Sequence, residues 1–191
     1  MRLPFRHIPI FVLIAIIAAG FPHSLGASDN AEIVDMLLSK EGKQLEVSFR
    51  IDHCFTPKME EAIQNGVPTA FRIRVAIEKA SLSLVKSQVL DFVLEHTIKY
   101  NRLNNEYQVY LQEQPQSVLV TKDFEEAKSW MSTISNLPVI HTCWLRNGQE
   151  YTIRIKAELS KVALPYFLRY ILFWVSLWDF ETDWQKVNFS M

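Results

Sequence analysis

Glycine is scarce in this chain, with five residues in 191, and two of them precede residue 27. Gly42, Gly66 and Gly148 are left for the body, and each stands beside a turn signal. No P-loop or G-x-G-x-x-G fingerprint can be assembled from them, so nucleotide chemistry is not expected. An excess of one charge sign is missing as well. Twenty basic side chains meet twenty-one acidic ones, for a net charge of −1, so the basic footprint of a nucleic-acid binder is absent. Cysteine is limited to Cys54 and Cys143. No Cys-x-x-Cys, His-Glu-x-x-His or Gly-x-Ser-x-Gly motif occurs. The paired acids Glu60 and Glu61, Glu125 and Glu126, and Glu181 with Asp183 read as solvated faces rather than an acid and base flanking a substrate. A non-catalytic protein without a cofactor is therefore expected.

What is present begins at the N-terminus. Arg2 and Arg6 precede the apolar stretch Ile10–Ala19, which gives way to Gly20, Pro22 and small residues from Ser24 to Ser28. A basic start, a short apolar centre and a small-residue exit are the three parts of a secretory signal peptide. The expectation is residues 1–26 as signal peptide, with cleavage between Gly26 and Ala27. The alternative is an uncleaved anchor in the inner membrane, for which the apolar stretch is short of the roughly twenty residues a span needs. No cysteine stands at the junction, so no lipid anchor is expected there. An exported, periplasmic product follows, and losing Arg2 and Arg6 makes its net charge −3.

The body alternates. Leu45, Val47, Phe49 and Ile51 interleave with polar neighbours, as do Phe71, Ile73, Val75 and Ile77 against Arg72, Arg74 and Glu78. Phe92 to Tyr100, Tyr107 to Leu111, and Tyr151 to Leu159 repeat the period of two, the last against Thr152, Arg154, Lys156 and Glu158. Clean alternation gives each strand one wet face and favours antiparallel sheet. Asn104-Asn105 and Asn147-Gly148 read as hairpin turns. Thr56-Pro57 opens a helix that Asn65-Gly66 closes, with Met59, Ala62 and Ile63 inward. A second helix is expected from Asp123, carrying Phe124, Ala127, Met131 and Ile134 before Asn136 and Pro138. The class is α+β, mainly antiparallel sheet of seven or eight strands in the order ββα-ββββ-α-ββ. Residues 27–163 form the domain and 164–191 an aromatic C-terminal segment.

Two features attract functional readings. The pairs His53-Cys54 and His141-x-Cys143 allow a disulfide between Cys54 and Cys143, two unpaired thiols, or a Cys2His2 metal site. A disulfide is the simplest outcome for an exported chain with two cysteines. His141 and Cys143 are expected on one face of a strand, but the metal is disfavoured because the adjacent His53 and Cys54 would point to opposite faces unless they sit on a loop. His96, in an apolar row, reads as a satisfied core imidazole. The C-terminal segment holds nine of the twenty-three aromatics, interrupted by Arg169 and ended by Asp179, which does not suit a membrane span. It can complete the core, rest on a membrane surface, or present a partner-binding surface of Arg169, Tyr170, Trp174, Trp178 and Trp184.

The segments Phe55–Pro68, Ile153–Leu159 and Phe173–Trp184 together resemble an uncharacterised proteobacterial family. Its members are exported or anchored proteins with a domain of unknown function, often encoded beside nitrogen-regulation-type sensor histidine kinases. The resemblance covers roughly residues 30–185. Lys79–Val85 departs from it, standing where many members are tryptophan-rich. It implies no catalytic residues. The motif-poor body and the aromatic tail point to a periplasmic, non-catalytic binding or regulatory domain, acting on the extracytoplasmic part of a sensor kinase or another envelope protein. The alternative is an envelope carrier whose sheet encloses a lipid or other hydrophobic ligand.

Overall fold

A computed structural model describes residues 30–80, 87–160 and 180–191. The order is β1 (Glu32–Glu41), β2 (Gln44–Asp52), α1 (Pro57–Gln64), β3 (Thr69–Lys79), β4 (Ser87–Asn101), β5 (Glu106–Leu111), β6 (Val118–Thr121), α2 (Phe124–Ser132), β7 (Thr133–His141), β8 (Glu150–Leu159) and β9 (Gln185–Ser190). The strands form two antiparallel sheets, β1-β2-β7 and β6-β5-β4-β3-β8-β9. Nine strands therefore stand among the described residues, one more than the expected order, and they divide between two sheets. The additional one is β9, which pairs along β8.

Alternation decides which side is dry. Val47, Phe49 and Ile51 of β2 and Phe71, Ile73, Val75 and Ile77 of β3 are almost fully buried, and they belong to one continuous core with Ile153, Ile155 and Ala157 of β8. That core lies between the two sheets, with Met59 and Ile63 of α1 and Ala127 and Met131 of α2 closing it. Burying a large aliphatic side chain contributes roughly 1.5–3 kcal/mol, so these rows dominate the stability.

The first helix forms as its residues dictate. The Thr56 hydroxyl accepts from the Met59 amide at 3.3 Å, and Pro57 occupies the first turn, where no amide is needed. Gly66, at φ 84°, reverses the chain and donates to the Ile63 carbonyl at 2.8 Å.

The second helix is shorter than its apolar spacing suggests. It ends at Ser132, and Ile134, expected on its inner face, is instead a buried strand residue opposite Phe49. Thr133 and Ile134 are β-branched and β2 offers an unpaired edge, so ladder pairing outweighs a further helical turn.

Asn147-Gly148 is likewise not a hairpin. The strands on either side of it, β7 and β8, belong to different sheets. Gly148, at φ 73°, donates its amide to the Met191 carbonyl at 2.7 Å, which holds the end of the chain against this corner. Asn104-Asn105 does join the hairpin β4–β5, with Asn105 at φ 51°.

Candidate functional site

The expected cysteine chemistry does not assemble. Both cysteines are free thiols, Cys54 buried and Cys143 exposed. The reason lies in the register of β2 and β7, where Gln44 sits opposite His141. Cys143 therefore lies near the start of β2, while Cys54 follows its other end. The length of β2, at roughly 3.3 Å per residue, separates them by about 26 Å, against the roughly 7 Å limit for a disulfide. The same separation keeps the His53 and His141 pairs apart, and no metal-ligating cluster occurs among the described residues.

Each thiol has its own surroundings. The Cys54 thiol donates to the Ile51 carbonyl at 3.4 Å, and burial pushes its pKa up to about 12. Cys143 is not on a strand with His141 but on the 3-10 turn Thr142–Trp144. Its sulfur lies 2.9 Å from His141 Nδ1.

His96 is the satisfied core imidazole that its apolar row suggests. It is fully buried on β4, with Nδ1 3.0 Å from the Met131 carbonyl at the end of α2. Nε2 lies 3.0 Å from each Glu113 carboxylate oxygen.

Of the expected partner-binding residues, Arg169, Tyr170, Trp174 and Trp178 lie outside the described residues, as do residues 1–26. Trp184 is described. It stands between β9 and a short bridge in which Glu181 pairs with Glu158. The C-terminal segment is thus partly core. Phe180 and Thr182 are buried, Phe180 edge-on to Phe71 at 4.8 Å between ring centres, and the Thr182 hydroxyl accepts from the Ala157 amide at 3.0 Å. Trp184 itself is half-buried on the opposite face of the sheet. There its ring lies 4.7 Å from the Arg154 guanidinium and 5.8 Å from Lys156 Nζ, within cation–π range.

That outer face of the six-stranded sheet carries the densest charge. The register aligns Glu95, Arg72 and Glu158 in one row across β4, β3 and β8. The next rows are Val93, Arg74 and Lys156, then Asp91, Ala76, Arg154 and Lys186. Arg74 grips Asp91 through two hydrogen bonds, Nε to Oδ1 at 2.8 Å and Nη2 to Oδ2. These bonds hold the Asp91 carboxyl below its ordinary pKa. Arg154 pairs with Glu78, and Lys156 with Glu181. Arg72 makes only a long contact to Glu158, at 3.5 Å.

Within this face lies a depression of about 230 Å³ lined by Arg72, Arg74, Val93, Lys156, Glu158 and Trp184. Arg72 and Arg74 stand on β3, which is paired on both sides at these positions, whereas Val93 precedes the β4–β5 ladder and Lys156 follows the β8–β9 ladder. The sequence shows these side chains only as wet rows. The recurrence of basic residues at Arg72 and Arg74, and again at Arg154 and Lys156, is the signal that marks them.

A second hollow, of about 330 Å³, borders Arg50, His53, Cys54 and Lys128. Lys128 Nζ is held there by Glu60 and Glu125, each at 2.7 Å, with the Phe124 ring centre 5.0 Å away. Its donors serve the α1–α2 contact. A third, of about 370 Å³, opens beside Asn65, Gly66 and Arg102 at the hairpin β4–β5.

Fold and site together define an antiparallel two-sheet domain with two small helices and a charged, tryptophan-flanked recess on its larger sheet. The chain belongs to the family with the domain of unknown function DUF4390, which matches residues 28–188. No curated protein and no solved structure matches it.

Proposed function

We propose that this chain is a non-catalytic binding or regulatory domain of the cell envelope, exported past the inner membrane. Its expected partner is an envelope protein, with the extracytoplasmic part of a sensor kinase foremost. The export reading rests on Arg2, Arg6 and the apolar stretch Ile10–Ala19. The kinase rests on the resemblance of segments such as Phe55–Pro68 to the proteobacterial family. The observation that carries the binding role is the recess on the outer sheet face. It combines half-exposed arginines with a tryptophan, the residue types that dominate interaction hot spots.

The carrier reading has less support. A lipid would need space between the sheets, where Phe49, Phe71, Ile73, Ile77, Ile153 and Ile155 already pack as one core. Co-purification from solubilised membranes tests both readings. Recovery of a kinase or another envelope protein, lost on Trp184→Ala, supports the binding domain. Recovery of lipid alone would replace it with the carrier. Intact-mass analysis of periplasmic material tests export, with a mass beginning at Ala27 expected and the uncleaved mass pointing to the anchor.

A further inference from the structure

Antiparallel register places basic residues directly opposite one another twice on the outer sheet face, and the acids Glu158 and Glu181 opposite one another once. Arg74 of β3 faces Lys156 of β8, and Arg154 of β8 faces Lys186 of β9. Such pairs are destabilising, so their recurrence is not a product of fold stability alone. The acids Asp91, Glu78 and Glu181 offset part of this repulsion, yet all three stand outside the lining of the recess. Within the lining, three residues are basic and only Glu158 is acidic.

The donors there are not used up. Arg74 commits Nε and Nη2 to Asp91, which leaves Nη1 for another acceptor. Arg72, two residues along the same strand face and so about 7 Å away, reaches Glu158 through Nη1 at a long 3.5 Å. Both guanidinium side chains are about half open to solvent, at 48% and 54%. Planar guanidinium groups match carboxylate and phosphate oxygens in a fork geometry that ammonium groups cannot reproduce. The remaining walls are apolar, the Val93 side chain and the flat Trp184 indole. The indole is held by Arg154 and Lys156, at 4.7 and 5.8 Å from its centre. At about 230 Å³ the recess is smaller than a site for drug-sized ligands, roughly 300–1,000 Å³.

We propose that this recess binds a small organic anion, a carboxylate or phosphate carried on a planar apolar body. The anionic oxygens sit among Arg72, Arg74 and Lys156, and the body lies against Trp184 and Val93. The proposal rests on the binding role given above and names the ligand class for that face.

The test is a titration of the purified full chain, ¹⁵N-labelled, with benzoate, phenyl phosphate and inorganic phosphate, followed by the indole resonance of Trp184 and the Nε–H of Arg74. Saturable shifts are expected with benzoate or phenyl phosphate below about 10 mM, weakening as salt rises. Benzoate binding alone would mark a carboxylate ligand, and phenyl phosphate binding alone a phosphate ester. The double substitution R72Q/K156Q should weaken binding by about tenfold or more. E158Q should tighten it by removing the competing carboxylate. W184F assigns the indole signal, and in that variant the Arg74 Nε–H reports binding.

No saturation with either aromatic probe overturns the proposal, as does unchanged affinity in R72Q/K156Q. Equal affinity for inorganic and phenyl phosphate overturns the apolar part. These failures are separable from failure of the binding role. A partner that still co-purifies while the anions do not bind leaves the domain's role standing and removes only its ligand class.

Discussion

At the scale of single residues, His96 and Glu113 are the groups whose protonation the structure constrains most. The Met131 carbonyl only accepts, so His96 Nδ1 carries a proton. Nε2 faces both oxygens of Glu113. Burial pushes the Glu113 carboxyl up, but the hydrogen bond from His96 and its charge together outweigh this and hold it below the ordinary value. A depressed carboxyl stabilises the fold above its unfolded pKa, and the contribution is lost as pH falls through the folded one. Glu113→Gln should therefore be less stable than the parent at pH 7, with the gap closing below about pH 4. Urea denaturation midpoints at several pH values measure it, and a gap constant down to pH 3 would contradict the ion pair. Removing the ring instead, in His96→Ala, leaves a partly buried carboxylate and a carbonyl without their partner, and about 3 kcal/mol should be lost.

The two thiols give a second prediction at this scale. Cys54 is buried with a pKa near 12, and Cys143 is exposed beside His141. Because the thiolate is the reactive form, Ellman's reagent should titrate one thiol in the native protein and two after unfolding. The native signal should vanish in Cys143→Ser. No reactive thiol in either state would indicate the disulfide that the register of β2 and β7 forbids.

At the scale of elements, the contrast between the helices is instructive. Everything that specifies α1 is local: a Thr56 cap, Pro57, and a glycine at the exit. Its boundaries are legible in the sequence for that reason, and Thr56→Ala should cost about 1 kcal/mol, read from thermal or urea unfolding. The end of α2 is not local. Ile134 fits a helical stripe and a strand equally well, and the edge of β2 decides between them. The C-terminal strand β9 escapes sequence reading for a related cause. Gln185 to Ser190 alternates only weakly, and its pairing partner β8 is far away in the chain. A chain truncated after Ser160 loses β9, Phe180 and Thr182 together, exposing the edge of β8 and one wall of the Phe71 pocket. It should lose its cooperative unfolding transition by circular dichroism. A truncated chain that unfolds as sharply as the parent would make the segment an appendage.

At the scale of the whole molecule, one core joins both sheets, both helices and the end of the chain. Phe71 sits at its centre, in contact with Phe55 at 5.1 Å and Phe180 at 4.8 Å between ring centres. Phe71→Ala should lower stability by about 3–5 kcal/mol, with near- and far-ultraviolet signals lost in one transition because no part of the core is independent. Two separate transitions would mean that the three-stranded sheet unfolds on its own.

The sequence by itself determined the antiparallel class, the α1 boundaries, five of the strands through their alternation, and the absence of a phosphate-cradling glycine loop. Those are properties of neighbouring residues, set by backbone sterics and by the period at which side chains change sides. Only the tertiary structure decided that the strands divide into two sheets, that Cys54 and Cys143 lie at opposite ends of β2, and that Arg72, Arg74, Lys156 and Trp184 share one recess. Each depends on register between strands distant in the chain. A shift of one residue turns every side chain to the other face, and that register is set by burial of the whole core rather than by any segment alone.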